Sequence, residues 1–316
     1  MDLSGMIQNT AEMQGTGQRM SKEEYAAMKK QEREDTWMQI DAQAQEVFRD
    51  GGSLQKFLDF MAGQYNMPRV PNLLLLYPQN PEIHMVRSRE EWKDEKRYPK
   101  SDAREYTYII QTKYEKDGVQ KKGYTVGKGY EISETAGKPL EDRPKQDIQT
   151  LLSAVLKNQD TRLQIADQLP DGVQAQYIPK QRTIYIRNGM SEVTTFHAVN
   201  RELSCARLDQ HDGSYKRNKV NAQAYCATYV VGKYYGIDVS GFNLGAVAGM
   251  QENGQKDPQE LRSFLNDVRT AAYEIRGHIN RELREPEQEF VADNLFSVGE
   301  GQKTAKSKKG REQAER

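Results

Sequence analysis

No run of 18 apolar residues occurs in the 316 residues, so no membrane-spanning helix is readable. The opening residues 1–17 are polar and lack the apolar stretch of a secretory signal, which points to the cytoplasm. Two cysteines are too few for a disulfide framework, and Cys205 and Cys226 are expected as reduced, buried side chains. Of the four histidines, His84, His211 and His278 stand singly and carry no metal signal. Net charge is absent too. Lys plus Arg (46) balances Asp plus Glu (46), so any nucleic-acid contact must come from a local patch rather than a whole-chain field. Apolar residues make up a low 36% and charged residues 29%, enough for a folded core but not a large one. There is no internal repeat.

What is there reads as two units or one with extensions. Residues 1–20 have no period and are expected as a disordered arm. Ser21-Lys22-Glu23-Glu24 begins like a capping box, opening a polar helix that runs to Gly51-Gly52. Ser53 can cap the next helix, with Leu54, Phe57, Leu58 and Met61 on one face. The apolar run 72–77 could be a buried strand or a short helix. Residues 106–110 and 123–126 have strand composition around a charged turn, which predicts a small antiparallel sheet. Residues 137–147 look like a linker. Beyond it come a helix near 146–158, a further helix over 163–169, and a hairpin of 173–178 with 183–187. Helices over 191–208, 218–235 and 257–283 follow, the last opened by Asp257, Pro258 and Glu260. The tail is polar, and 303–316 holds six basic against two acidic residues. The fold class is α+β.

The most informative stretch is Arg201-Glu202-Leu203-Ser204-Cys205. A zinc peptidase of the HExxH type places two histidines one helical turn apart with a glutamate beside the first to activate water. Here Glu202 is in place, and Arg201 and Cys205 occupy the histidine positions. Arginine is permanently cationic and cannot ligate zinc. A shifted site using His197 and Cys205 fails on distance, because eight helical residues span about 12 Å.

Residues 195–238, with that segment followed by Ala224-Tyr225-Cys226-Ala227-Thr228-Tyr229 and Tyr235-Gly236-Ile237-Asp238, resemble the metallopeptidase-like domain of ArdC-type antirestriction proteins and the related LtrC-like proteins of conjugative elements. In that family the first segment reads like His-Glu-Leu-Ala-His-Ala, and a ligand glutamate stands where this chain has Tyr225. Residues 57–92, with Asn72-Leu73-Leu74-Leu75 and Gln79-Asn80-Pro81, and then 130–137, resemble the family's N-terminal single-strand-binding domain. The resemblance spans about 50–285. Together with the composition at the two ends, the expected organisation is a disordered arm (1–20), a strand-binding domain (21–140), a zincin-like domain of hairpin and packed helices (145–285) and a polar, basic disordered tail (286–316). The ligand positions Arg201, Cys205 and Tyr225 are vestigial by this reading, Glu202 is a structural partner, and no zinc or catalytic residue is expected.

Between 87 and 128 stand twelve Lys or Arg against eight Asp or Glu, interleaved with Trp92 and tyrosines. Cationic grooves with aromatic platforms hold single strands. The candidate contacts are Arg87, Arg89, Trp92, Lys93, Lys96, Arg97, Lys100, Arg104, Lys121 and Lys122. A solvated sheet with half-buried tyrosines is the other reading of the same composition. With the resemblance, the expectation is a DNA-associated protein of a mobile element that binds single-stranded DNA, without catalysis, in antirestriction or DNA transfer. A protein-interaction module using the inactive groove and a residual metal-dependent peptidase are the alternatives.

Overall fold

The computed structural model describes the backbone of residues 21–116, 118–139, 145–166 and 168–309, with side chains except at 114, 116, 122 and 285–309. The expected arm, the boundary at 140–144 and the side chains of the tail lie outside it.

Ser21 opens α1 (Lys22–Val47) with the capping box its spacing predicts: its hydroxyl accepts from the Glu24 amide at 3.1 Å and its own amide donates to Glu24 at 2.8 Å. Thr36, Ile40, Ala44 and Val47 form the buried stripe. α2 (Gly51–Gly63) begins on the glycine pair itself, and its cap is Asp50, whose carboxylate accepts from the Ser53 amide at 2.7 Å. The glycine is required there. A Cβ on Gly51 would lie 2.6 Å from the Gly245 amide nitrogen, where α8 (Leu244–Met250) crosses. The run expected as strand or helix is a helix, α3 (Val70–Leu76), with Pro71 in its first turn.

One antiparallel sheet has the order β1 (Val86–Arg87), β4 (Val119–Glu131), β3 (Glu105–Lys116). Beside it lie α4 (Arg89–Asp94) and the pair β2 (Arg97–Pro99) with β5 (Thr135–Gly137). β3 is an edge strand, and its outward groups at two positions are satisfied by side chains. Asn72 accepts from the Ile109 amide at 2.7 Å and donates to the Ile109 carbonyl at 2.9 Å, while Gln79 does the same for Thr107 at 2.9 and 2.8 Å. Two amides spaced to match alternate strand residues thus stand in for a neighbouring strand.

After α5 (Ile148–Leu156) the expected helix over 163–169 is instead a strand, β6 (Arg162–Ala166). It pairs parallel with β8 (Thr183–Arg187), which pairs antiparallel with β7 (Ala175–Ile178). Five residues make too few internal helical bonds to compete with a ladder. The hairpin is present, but its sheet is mixed.

α6 (Glu192–Arg207) packs on this sheet, α7 (Arg217–Tyr234) packs on α6 and α2, and α9 (Pro258–Lys309) closes the fold. Leu261, Phe264, Leu265, Val268, Ala272, Ile275 and Ile279 are all buried on the face the spacing predicts. At the expected stop near 283 no Gly or Asn receives the helix end, and the backbone of α9 continues past it. One apolar core extends from Ile40 to Ile279, so the halves on either side of 140–144 share it.

Candidate functional site

Ser191 caps α6, its hydroxyl accepting from the Thr194 amide, and Phe196, Val199 and Leu203 anchor the helix in the core. That anchoring turns Glu202 inward, where it is 2% exposed. Its Oε2 accepts from the Tyr177 amide on the edge strand β7 at 2.7 Å. The guanidinium of Arg217, at the first position of α7, donates to Oε2 at 2.6 Å and to Oε1 at 2.5 Å. This fork-to-carboxylate pair is the strongest side-chain geometry available to a buried carboxylate. The bond to Glu202 raises the Arg217 pKa further above its ordinary value.

The neighbouring positions are equally committed. Arg201 donates to Asn221 at 2.8 Å and lies over the Tyr225 ring at 5.3 Å. The Tyr225 hydroxyl accepts from the Asn243 amide at 2.7 Å, and its ring packs on Phe242. Cys205 is fully buried, and burial pushes its thiol up to about 11. A zinc ion needs deprotonated sulfur or neutral nitrogen and carboxylate donors converging on one point. A stacked guanidinium, a protonated thiol and an occupied phenol do not fit it. Among the described residues, no group of three or more His, Cys, Asp or Glu could hold a metal ion.

No family model and no curated protein matches the sequence. Among solved structures, the chain is similar to the antirestriction protein ArdC of plasmid R388. Its metal-free crystal structure aligns with 68% of this chain and 86% of that one, at 12% identity and a TM-score of 0.42. The Mn(II)-bound structure aligns with 67% and 89%, at 11% identity and 0.44.

The basic stretch is less open than its composition suggests. Trp92 is 0% exposed and donates from its indole to the Tyr130 carbonyl at 2.9 Å, so it offers no face to a base. Arg97 is tied to the backbone of the β2–β5 corner through Thr135 and Lys138, and Lys100 donates to the Ser133 carbonyl at 2.9 Å. Arg87 pairs with Glu95 at 2.7 Å. Arg89 lies over Tyr130 and Arg104 over Tyr106, both of them core tyrosines. Lys93, Lys96 and Lys121 are exposed, and the Lys122 side chain lies outside the described residues. Among the described residues of this stretch, the exposed aromatics are Tyr98 at 56%, on β2, and Tyr124 at 42%, on β4. Sequence reasoning weighted the aromatic most completely buried and missed Arg217, which lies in a polar loop-to-helix junction with no motif to mark it.

Proposed function

We propose that this protein is a non-catalytic single-stranded-DNA-binding protein of a conjugative mobile element, with an antirestriction or DNA-protecting role. One observation carries the non-catalytic part: both oxygens of the Glu202 carboxylate are engaged by Arg217 and one also by the Tyr177 amide. A general base needs a free oxygen within hydrogen-bond reach of its water. The strand-binding part is supported by the exposed cations Lys93, Lys96 and Lys121 and the exposed rings of Tyr98 and Tyr124 on the 21–140 half. The 145–285 half then acts as a scaffold. The mobile-element and antirestriction context rests on the order of sequence motifs over 50–285.

Fluorescence anisotropy with labelled single-stranded and duplex oligonucleotides across a salt series tests the reading. The expected result is single-strand preference, affinity falling linearly in log–log with salt, and a loss of about 1–3 kcal/mol for Tyr98→Ala or Tyr124→Ala. No single-strand preference and no salt slope would sink it. Elemental analysis bears on the catalytic alternative, since stoichiometric zinc or manganese lost on mutating Cys205 would overturn the vestigial reading. A second reading, protein docking on the scaffold half, is favoured by β6, a strand at the sheet edge carrying Ile165 at 62% exposure.

A further inference from the structure

Two Asn-Gly pairs occur in the chain, Asn188-Gly189 and Asn253-Gly254. In such a pair the glycine amide nitrogen can attack the carbonyl carbon of the asparagine side chain, because glycine has no Cβ to crowd the approach. Proximity decides whether it does: the reacting atoms must come within about 3–3.5 Å, and the backbone must be free to close the ring. The fold treats the two pairs differently.

Asn188 and Gly189 lie exposed in the turn between β8 and α6. The Gly189 amide donates to Oδ1 of Asn188 at 2.9 Å, which brings the side-chain carbonyl up to the nitrogen that would attack it. Gly189 has a φ of +76°, and a Cβ there would meet nothing within 4 Å, so open space surrounds the position where the ring would close. At the other pair the nucleophile is committed. The Gly254 amide donates to the Gln251 carbonyl at 3.1 Å, and Gly254 is buried. A Cβ on it would collide with the Gln45 carbonyl oxygen of α1, so the backbone is wedged where ring closure would have to turn it.

We infer that Asn188 is a site of spontaneous deamidation in the folded protein, and that the fold protects Asn253. The Gly189 nitrogen gives up its proton and adds to Cγ of Asn188. As the N–Cγ bond forms, the Cγ–Nδ2 bond breaks, and the amide nitrogen takes a proton and leaves as ammonia. Water then opens the succinimide at either of its carbonyls, giving aspartate or isoaspartate, with no oxidant or reductant needed. Either product adds a carboxylate just ahead of Ser191, near the end of α6 whose free amides favour negative charge. The isoaspartyl form also carries an extra methylene into the chain joining β8 to α6. Both ends of that link are fixed, by Arg187 donating to the Val173, Leu169 and Pro170 carbonyls and by Ser191 capping α6. None of this depends on DNA binding.

The test ages the full-length protein in mildly alkaline buffer, once folded and once in denaturant, and follows both pairs by peptide mass spectrometry. In the folded protein, amide-to-acid conversion is expected at least tenfold faster at Asn188 than at Asn253, with comparable rates once the chain is unfolded. The rate should rise with pH, and isoaspartate should accompany aspartate, since direct hydrolysis of the side chain gives aspartate alone. Asn188→Gln, a change at an exposed position that removes the five-membered ring, should abolish conversion at this turn and leave thermal melting unchanged. Equal rates at the two pairs in the folded protein, or an Asn188 that stays intact there while the unfolded chain converts, overturns the inference. Aspartate without isoaspartate, or undiminished conversion at residue 188 in Asn188→Gln, overturns the ring route. A tenfold gap that persists in denaturant overturns the part given to the fold.

Discussion

Arg217 stands fifteen residues beyond Glu202, across a loop that contains Gly213, and nothing in the local sequence links the two. Their pairing depends on α6 and α7 packing together, and it engages both oxygens of the Glu202 carboxylate. Removing Arg217 leaves a buried carboxylate with the Tyr177 amide as its remaining donor. Arg217→Ala is therefore expected to destabilise by about 2–4 kcal/mol, less than a fully buried pair because the Arg217 side chain is 40% exposed. Urea denaturation measures this, and a loss within 0.5 kcal/mol (a threshold taken from ordinary surface substitutions) would show that the pair adds nothing. His197 offers a second residue-scale test. Burial lowers its pKa, while its Nε2 contacts the Asp238 carbonyl at 2.7 Å. The unfolded chain then takes up the proton first as pH falls. The stabilisation is complete above about pH 6.5 and is lost as pH drops toward the folded value. The native protein should lose stability between pH 7 and 5 more steeply than His197→Gln, and parallel slopes would refute this.

At the scale of elements, the edge of β3 is closed by two side chains rather than by a strand. Asn72 and Gln79 lie seven residues apart, Asn72 on α3 and Gln79 just beyond it, yet they meet alternate strand residues two apart. Asn72→Ala leaves the Ile109 amide and carbonyl without those partners, at a cost of about 1–3 kcal/mol. Hydrogen exchange should then accelerate at the Ile109 amide and not at the β4 amides that are bonded to β3. Uniform protection across the hairpin would contradict the role given to Asn72. The same scale explains the one element whose type was misread. Arg162–Ala166 is too short to hold a helix, and its conformation is decided by β8 alongside it. The helices were legible because α1, α2, α6 and α9 carry their own caps and apolar stripes.

At the scale of the molecule, the two halves are tied by side chains as well as by a common core. Phe48 meets Phe264 edge to face at 5.3 Å, Tyr229 donates to Asp59 at 2.7 Å, and Arg269 donates to the Met67 carbonyl at 2.7 Å. Cutting the chain near 140–144 should therefore leave the fragments associated. Size-exclusion chromatography after limited proteolysis should return one species at the native position, and separation into two without denaturant would mean the halves are independent.

The sequence by itself determined the α+β class, the starts of α1, α6 and α9 and the absence of a histidine pair around Glu202, because caps, periodicity and ligand chemistry are local properties. It also marked a stretch rich in Lys, Arg and tyrosine. Tertiary structure decided which of those groups remain on the surface: Trp92 and Tyr106 went into the core and Arg97 into a strand corner, while Lys93, Lys96, Tyr98 and Tyr124 stayed outside. It also decided that Arg217 would pair with Glu202. Burial and long-range pairing depend on what packs against a residue, and that partner is set by the whole fold rather than by its neighbours in sequence.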